Sequence, residues 1–253
     1  MMLIDTHCHL NDEAFLADVD SVIAEALQNG VEKMIIPGAN PMELERAIEL
    51  SQKYEGVYFA IGVHPYDLHH GDIKDSLHYA SHPKCVAIGE CGLDYFRLPE
   101  SGVEEYKAEQ KQRFEEQIRI AIELDKPLIL HVREASNDVY EILQKYPQAR
   151  GVMHCYNADS ILLKLSNRFY YGIGGVCTFK NARRLIEILP QIPLERILLE
   201  TDAPYLTPTP FRGERNAPKY IPLIAQKITE ILSLDPKDLE ATTTQNARNL
   251  FAF

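Results

Sequence analysis

Asp5-Thr6-His7-Cys8-His9 follows a short apolar run, Met1-Met2-Leu3-Ile4, that reads as a strand. Side chains alternate along a strand, so Asp5, His7 and His9 are expected on one face and Cys8 on the other. Two imidazoles on one face can converge on a cation, at about 2.0–2.1 Å if it is zinc. Groups of the same chemistry end other apolar runs. Glu90 follows Cys85-Val86-Ala87-Ile88, His131 follows Pro127-Leu128-Ile129-Leu130, His154 follows Gly151-Val152-Met153, and Asp202 follows Arg196-Ile197-Leu198-Leu199. His-x-His by itself is a weak signal, but six such residues at the ends of core strands do not look like stray surface charge.

Four imidazoles and two carboxylates exceed the roughly four ligands of one tetrahedral ion. They suit two divalent cations with Glu90 as the bridge. His7, His9 and Asp202 are expected on one ion, His131 and His154 on the other. Paired ions about 3.5–4 Å apart clamp the attacking and leaving oxygens of a displacement and lower the pKa of water. Asp202 is then placed to take a proton from that water or to hold it. Imidazole ligands lean to Zn, Fe or Ni; carboxylates and phosphoryl chemistry also admit Mg or Mn.

A second tier of residues is expected around substrate. His64 ends the third apolar run and could hydrogen-bond an anion. Arg133 shares the parity of His131, and a guanidinium there would bind phosphate or carboxylate bidentately; pairing with Glu134 or Asp138 is the alternative. Glu200 shares the parity of Asp202, and is a candidate for substrate binding or for orienting a ligand, as is Asp94 for orientation. Arg212 and Arg215 lie in a proline-rich loop, where positive charge could meet an anion; Arg212 is the candidate retained. His69, His70, His78 and His82 end no apolar strand and read as surface. Cys8, Cys91 and Cys155 read as small packing residues.

The elements that position these residues alternate. Short apolar runs at 1–4, 33–36, 57–61, 85–88, 127–130, 151–153, 169–176 and 196–199 are separated by amphipathic segments. Phe15, Val19, Val22, Ile23, Ala26 and Leu27 share a helical face, and Asn40-Pro41-Met42-Glu43 has the sequence of a helix start. Tyr95–Ala108 is expected to be a polar loop over the strand ends, and two helices close the chain. Eight β-then-α units predict an α/β fold, a single (β/α)8 TIM barrel over residues 1–253, with the site at the carboxyl ends of the strands. A length of 253 residues suits one such barrel.

Bulk composition narrows the function classes. No run approaches the ~20 apolar residues of a membrane span. Polar residues so near the start predict no signal peptide, and five cysteines without C-x-x-C spacing predict reduced thiols in a cytoplasmic protein. A net charge of −11 argues against wrapping long nucleic acid, while leaving room for a polyanion at one local site.

Asp5-Thr6-His7-Cys8-His9-Leu10, Gly62-Val63-His64-Pro65, Gly89-Glu90-Cys91-Gly92-Leu93-Asp94-Tyr95, His131-Val132-Arg133-Glu134-Ala135 and Leu199-Glu200-Thr201-Asp202-Ala203-Pro204-Tyr205-Leu206 together resemble the TatD-type metal-dependent deoxyribonucleases. So does Pro210-Phe211-Arg212-Gly213-Glu214-Arg215-Asn216-Ala217-Pro218. The resemblance spans the chain in order from residue 3 to Phe251. It implies the barrel, divalent metals at the six residues, and hydrolysis of DNA phosphodiesters, often from the 3′ end. The chain departs at His154-Cys155-Tyr156-Asn157-Ala158, where the family commonly has His-Cys-Phe-Ser-Gly. The expected substrate is DNA ends or single-stranded DNA, with no membrane and no obligate protein partner. The alternatives are a carbonyl ester, lactone, amide or aminoacyl-tRNA hydrolase on the same two metals, and a metal-holding protein without turnover.

Overall fold

The computed structural model describes residues 2–69 and 71–253. Eight parallel strands pair in the order of the chain. They are β1 Leu3–Asp5, β2 Val31–Ile36, β3 Val57–Ile61, β4 Cys85–Asp94, β5 Leu128–Arg133, β6 Gly151–Met153, β7 Phe169–Ile173 and β8 Ile197–Leu199. Backbone bonds draw β8 to β1: Thr6 N–H donates to Leu199 O (3.0 Å), Asp202 N–H to His7 O (2.9 Å) and His9 N–H to Ala203 O (2.7 Å). The result is a nearly closed barrel with helices on its outside, the (β/α)8 class.

Helices α1 Val19–Gln28, α2 Leu44–Lys53, α3 Ile73–Ser76, α4 Val103–Glu123, α5 Ser136–Gln144 and α6 Arg183–Ile188 lie between strands. Helices α7 Ile221–Leu232 and α8 Pro236–Phe251 follow β8. The sixth connection holds only a 3-10 turn, Leu162–Leu165. Two apolar layers result. Ile4, Ile35, Ala60, Ile129, Val152 and Leu198 form one cluster across the strands, closed at one end by Ala247, Leu250 and Phe251 of α8. Leu3, Met34, Phe59, Leu128, Leu130 and Tyr171 join the helices' buried faces in a second, larger cluster. The first fills the barrel and the second lies between barrel and helices, as burial on both strand faces requires.

Four sequence expectations are corrected. The polar stretch 95–108 is a loop only up to Gly102, which takes a left-handed conformation (φ 71°) and opens α4. The residues after it are Glu-, Lys- and Gln-rich, good helix formers on a solvent face, so polarity there does not mean loop. Asn40 does cap, accepting from Met42 N–H, but it starts a 3-10 turn, Pro41–Glu43, before α2. The seventh strand ends at Ile173, and a 3-10 turn, Gly175–Thr178, replaces its last residues.

The fourth correction concerns parity. Ile4 lies in the interior cluster, so an unbroken alternation would turn His7 outward. Asp5 breaks the alternation. Its carboxylate accepts from Thr201 N–H (3.0 Å), Thr201 Oγ (2.5 Å) and His7 N–H (3.2 Å). The buried Asp5 thus bends the chain after β1 and ties it to the end of β8, and its side chain does not join the two imidazoles.

Candidate metal centre

The strand ends bring His7, His9, Glu90, His131, His154 and Asp202 together. Among the described residues, three groups have ligand atoms within 4.8 Å of one another: His7, His9 and Asp202; His7, Glu90 and His154; His64, Glu90 and His131. Glu90 is common to two of them, and its oxygens face different ways. Oε2 lies 3.3 Å from His7 Nε2 and 3.9 Å from His9 Nε2. Oε1 lies 2.9 Å from His131 Nδ1, and 3.5 Å from both His154 Nε2 and His64 Nε2. Asp202 Oδ1 closes the other side, 3.5 Å from His9 Nε2 and 3.7 Å from His7 Nε2.

The donor set fits cations. His7 Nε2 and His9 Nε2 point at each other across 3.2 Å, close to the spacing of two nitrogens sharing one ion at about 2.0–2.1 Å. The His7 and His154 rings stack with centroids 3.6 Å apart.

Neighbouring carboxylates choose which nitrogen faces inward. Asp94 Oδ2 lies 2.7 Å from His131 Nε2 and holds that nitrogen, so Nδ1 is the atom that faces Glu90 and would be offered to a cation once its own proton is lost. Glu200 Oε1 lies 3.3 Å from His154 Nδ1, leaving Nε2 to the site. His64 is the opposite case. Its Nδ1 accepts from Tyr66 N–H (3.1 Å), so the neutral ring presents a donor at Nε2.

Electrostatics follow. Burial favours protonated Glu90, but the His154, His7 and His64 imidazoles and the His131 hydrogen bond outweigh it and hold Glu90 well below the usual carboxylate range. Asp202 is also lowered: burial opposes ionisation, and the His9 bond and His154 charge override it. His154 is pushed up to about 10, because Glu90 and Glu200 outweigh its burial. His7, deepest and beside His154, is lowered chiefly by burial.

The remaining candidates sit as follows. Arg133 is exposed, its guanidinium 3.6 Å over the Phe96 ring, and it lines a cavity of about 520 Å³ together with His131, His154 and Asp202. Glu200 is buried, and its Oε1 accepts the Cys155 N–H at 2.5 Å, so it touches protein rather than open space. A Cβ on Gly172 would meet Glu200 Oε2 at 2.0 Å, which explains a glycine mid-strand. Arg212 stacks on Phe179 (3.8 Å) and donates to Thr207 O, outside the residues lining that cavity. Arg215 is paired with Asp18. His69 and His78 are exposed and His82 is half-buried, while His70 lies outside the described residues. Cys8 and Cys91 are core residues, but Cys155 lines the cavity.

Sequence reasoning missed two glutamines. Gln110 of α4 bonds both backbone groups of Asp94, at 2.9 and 3.0 Å. Gln117 does the same for Val63, at 2.8 and 3.0 Å. Seven residues apart on one helix face with Phe114 between them, they were detectable as polar residues at core positions.

The family described as TatD related DNase matches residues 4–252. The chain belongs to this family. Among TatD relatives, the uncharacterized metal-dependent hydrolase YabD of Bacillus subtilis is 38% identical, over 99% of both chains. A protein named 3′-5′ ssDNA/RNA exonuclease TatD, from Citrobacter rodentium, is 36% identical over 98% of this chain and 97% of its own. The crystal structure of YJJV, a TatD homologue of Escherichia coli K12, superposes with a TM-score of 0.88 at 28% identity, covering 99% of this chain and 98% of that one. The chain is therefore a metal-dependent hydrolase of the TatD family. Among the described residues no helix is long and apolar enough to cross a membrane.

Proposed function

We propose that this hydrolase cleaves DNA phosphodiester bonds, as a 3′-to-5′ exonuclease on single-stranded ends, with two divalent ions held by His7, His9, Glu90, His131, His154 and Asp202. The observation that carries the two-ion reading is Glu90, whose two oxygens address separate imidazole sets. The name of the 36% identical relative supports the substrate. His7, His9 and Asp202 would hold one ion and His131 and His154 the other, with Glu90 shared. Bound there, the ions would activate water and neutralise charge on the phosphoryl oxygens.

The chain's own groups do the rest. Asp202 is half-buried and lines the cavity, and its lowered pKa keeps it a carboxylate at neutral pH. It takes the proton from the attacking water as that oxygen bonds to phosphorus and the P–O3′ bond to the shortened strand breaks, the departing 3′-oxygen taking a proton from solvent. His64, presenting N–H at Nε2, donates to a non-bridging phosphate oxygen. Arg133, held flat by Phe96, binds phosphate from the rim. Glu200 and Asp94 orient His154 and His131.

Asp202→Asn should lower kcat on 3′-end single-stranded DNA by about 10²–10⁴-fold, the range for a lost proton acceptor. Metal-loaded wild-type protein that leaves end-labelled single-stranded DNA intact would refute the substrate reading.

A further inference from the structure

The cavity of about 520 Å³ begins at the metal cluster but extends well beyond it. Its size lies within the range of small-ligand sites. Apolar residues, among them Val176, Ala182, Leu185 and Leu206, line part of it. None of these side chains serves the chemistry above. Tyr205, three residues past Asp202, forms one flank and is 54% exposed. Its hydroxyl is fixed by Asp12 Oδ2 at 3.1 Å, and its ring stands edge-on to His9 with centroids 6.1 Å apart. An aromatic face is thus held open beside a candidate ligand. Two exposed cations, Arg133 and Arg184, also line the cavity. Arg184 is 69% exposed, and its nearest carboxylate, Asp159 Oδ1, is 3.8 Å away, beyond a hydrogen bond. A second, more polar hollow continues from the first and shares Arg133, Asn157 and Arg184 with it.

We propose that this cavity is the subsite for the nucleoside adjoining the scissile phosphate, with Tyr205 as its stacking face and Arg184 as the cation for the next phosphate. The inference rests on the DNA reading above and extends it. The occupant follows from the combination of groups that line the cavity. The candidate metal ligands take a phosphodiester, the apolar residues with the Tyr205 ring take a flat heterocycle, and the exposed, loosely paired Arg184 takes a second anion. A polynucleotide presents a phosphodiester, a base and a further phosphate together; a simple ester or lactone lacks the second anion. Base–aromatic stacking tolerates any base, so the subsite confers preference for nucleic acid without sequence preference.

The test compares KM and kcat of metal-loaded protein on a single-stranded oligonucleotide and on bis(p-nitrophenyl) phosphate, which has neither nucleoside nor second phosphate. Arg184→Ala and Tyr205→Leu should each raise KM for the oligonucleotide about tenfold more than KM for the small diester, as loss of one stacking or phosphate contact implies. Tyr205→Phe should retain most of the wild-type KM. Arg119→Ala, a charge removed from α4, should leave both values in place and so exclude a general electrostatic effect. Anisotropy of a fluorescein-labelled oligonucleotide on the Asp202→Asn protein, without and with Arg184→Ala, should show the same weakening without turnover. Equal shifts on both substrates, or none, would overturn the subsite. Wild-type protein that hydrolyses the small diester but not the oligonucleotide would instead overturn the DNA reading and the subsite with it.

Discussion

At the scale of single residues, the backbone around the site is held in unusual conformations. Asp202, Cys155 and Ala158 take positive φ of 58°, 42° and 62°. Asp tolerates that region; Ala does so at a cost of roughly 1–2 kcal/mol. Ala158 stands where the family commonly has glycine, and the turn survives the exchange. Asn157 helps to hold it, donating from Nδ2 to Val132 O and Ser136 Oγ and accepting from Asp159 N–H. Ala158→Gly relieves that cost but gives up a buried methyl and frees the unfolded chain, each worth roughly 0.5–1 kcal/mol, so Tm by calorimetry should move by no more than about 2 °C. The imidazoles supply a second residue-scale prediction. His9, His131 and His154 all have raised pKa values in the metal-free protein, through Asp202 for His9, Asp94 and Glu90 for His131, and Glu90 and Glu200 for His154. A raised pKa means that a proton is held to higher pH than on a free imidazole, most firmly on His154, and an incoming cation must displace it. Metal titration at pH 7 should release protons, and apparent affinity should rise with pH. Calorimetric titrations in buffers of different ionisation enthalpy measure the proton count. Buffer-independent heats would contradict this picture.

At the scale of elements, α4 is the brace behind the site. Its 21 residues place Gln110 and Gln117 against the backbone of Asp94 and Val63, beside the groups that orient His131 and precede His64. Each glutamine amide substitutes for a strand neighbour, giving one donor and one acceptor. Gln110→Ala would leave a buried N–H and a buried C=O without partners, at about 1–3 kcal/mol each. The urea midpoint should fall accordingly, whereas Gln112→Ala in the same helix should leave it nearly unchanged. The strand-to-helix alternation was readable because the apolar runs are short and continuous. The start of α4 was not, because a solvent-facing helix and a polar loop share a composition until Gly102 is known to be left-handed.

At the scale of the molecule, a charge of −11 confines polyanion binding to a few sites. If Arg133 and Arg184 are the only cations that neutralise phosphate, log KM for single-stranded DNA should rise with log[KCl] with a slope of about 1.4, from about 0.7 per phosphate contact. Steady-state kinetics at fixed metal concentration give that slope. A value of four or more would mean a longer binding track.

The order of residue types along this chain was enough to specify eight core strands, to put a His, Glu or Asp after six of the apolar runs, and so to bring those groups to one barrel mouth. Residue identity and local spacing carry that much because burial of apolar runs leaves the next polar residue at the rim. Which way each side chain turns there was not a local property. Asp5 breaks the alternation by bonding Thr201, nearly two hundred residues away, and so gives its carboxylate to the barrel seam rather than to the site. Asp94 and Glu200 select the inward nitrogen of His131 and His154, and Tyr66 that of His64. Asp5 and Thr201, Asp94 and His131, and Glu200 and His154 sit on different strands and meet only when the barrel closes, whereas Tyr66 reaches His64 within the loop after β3.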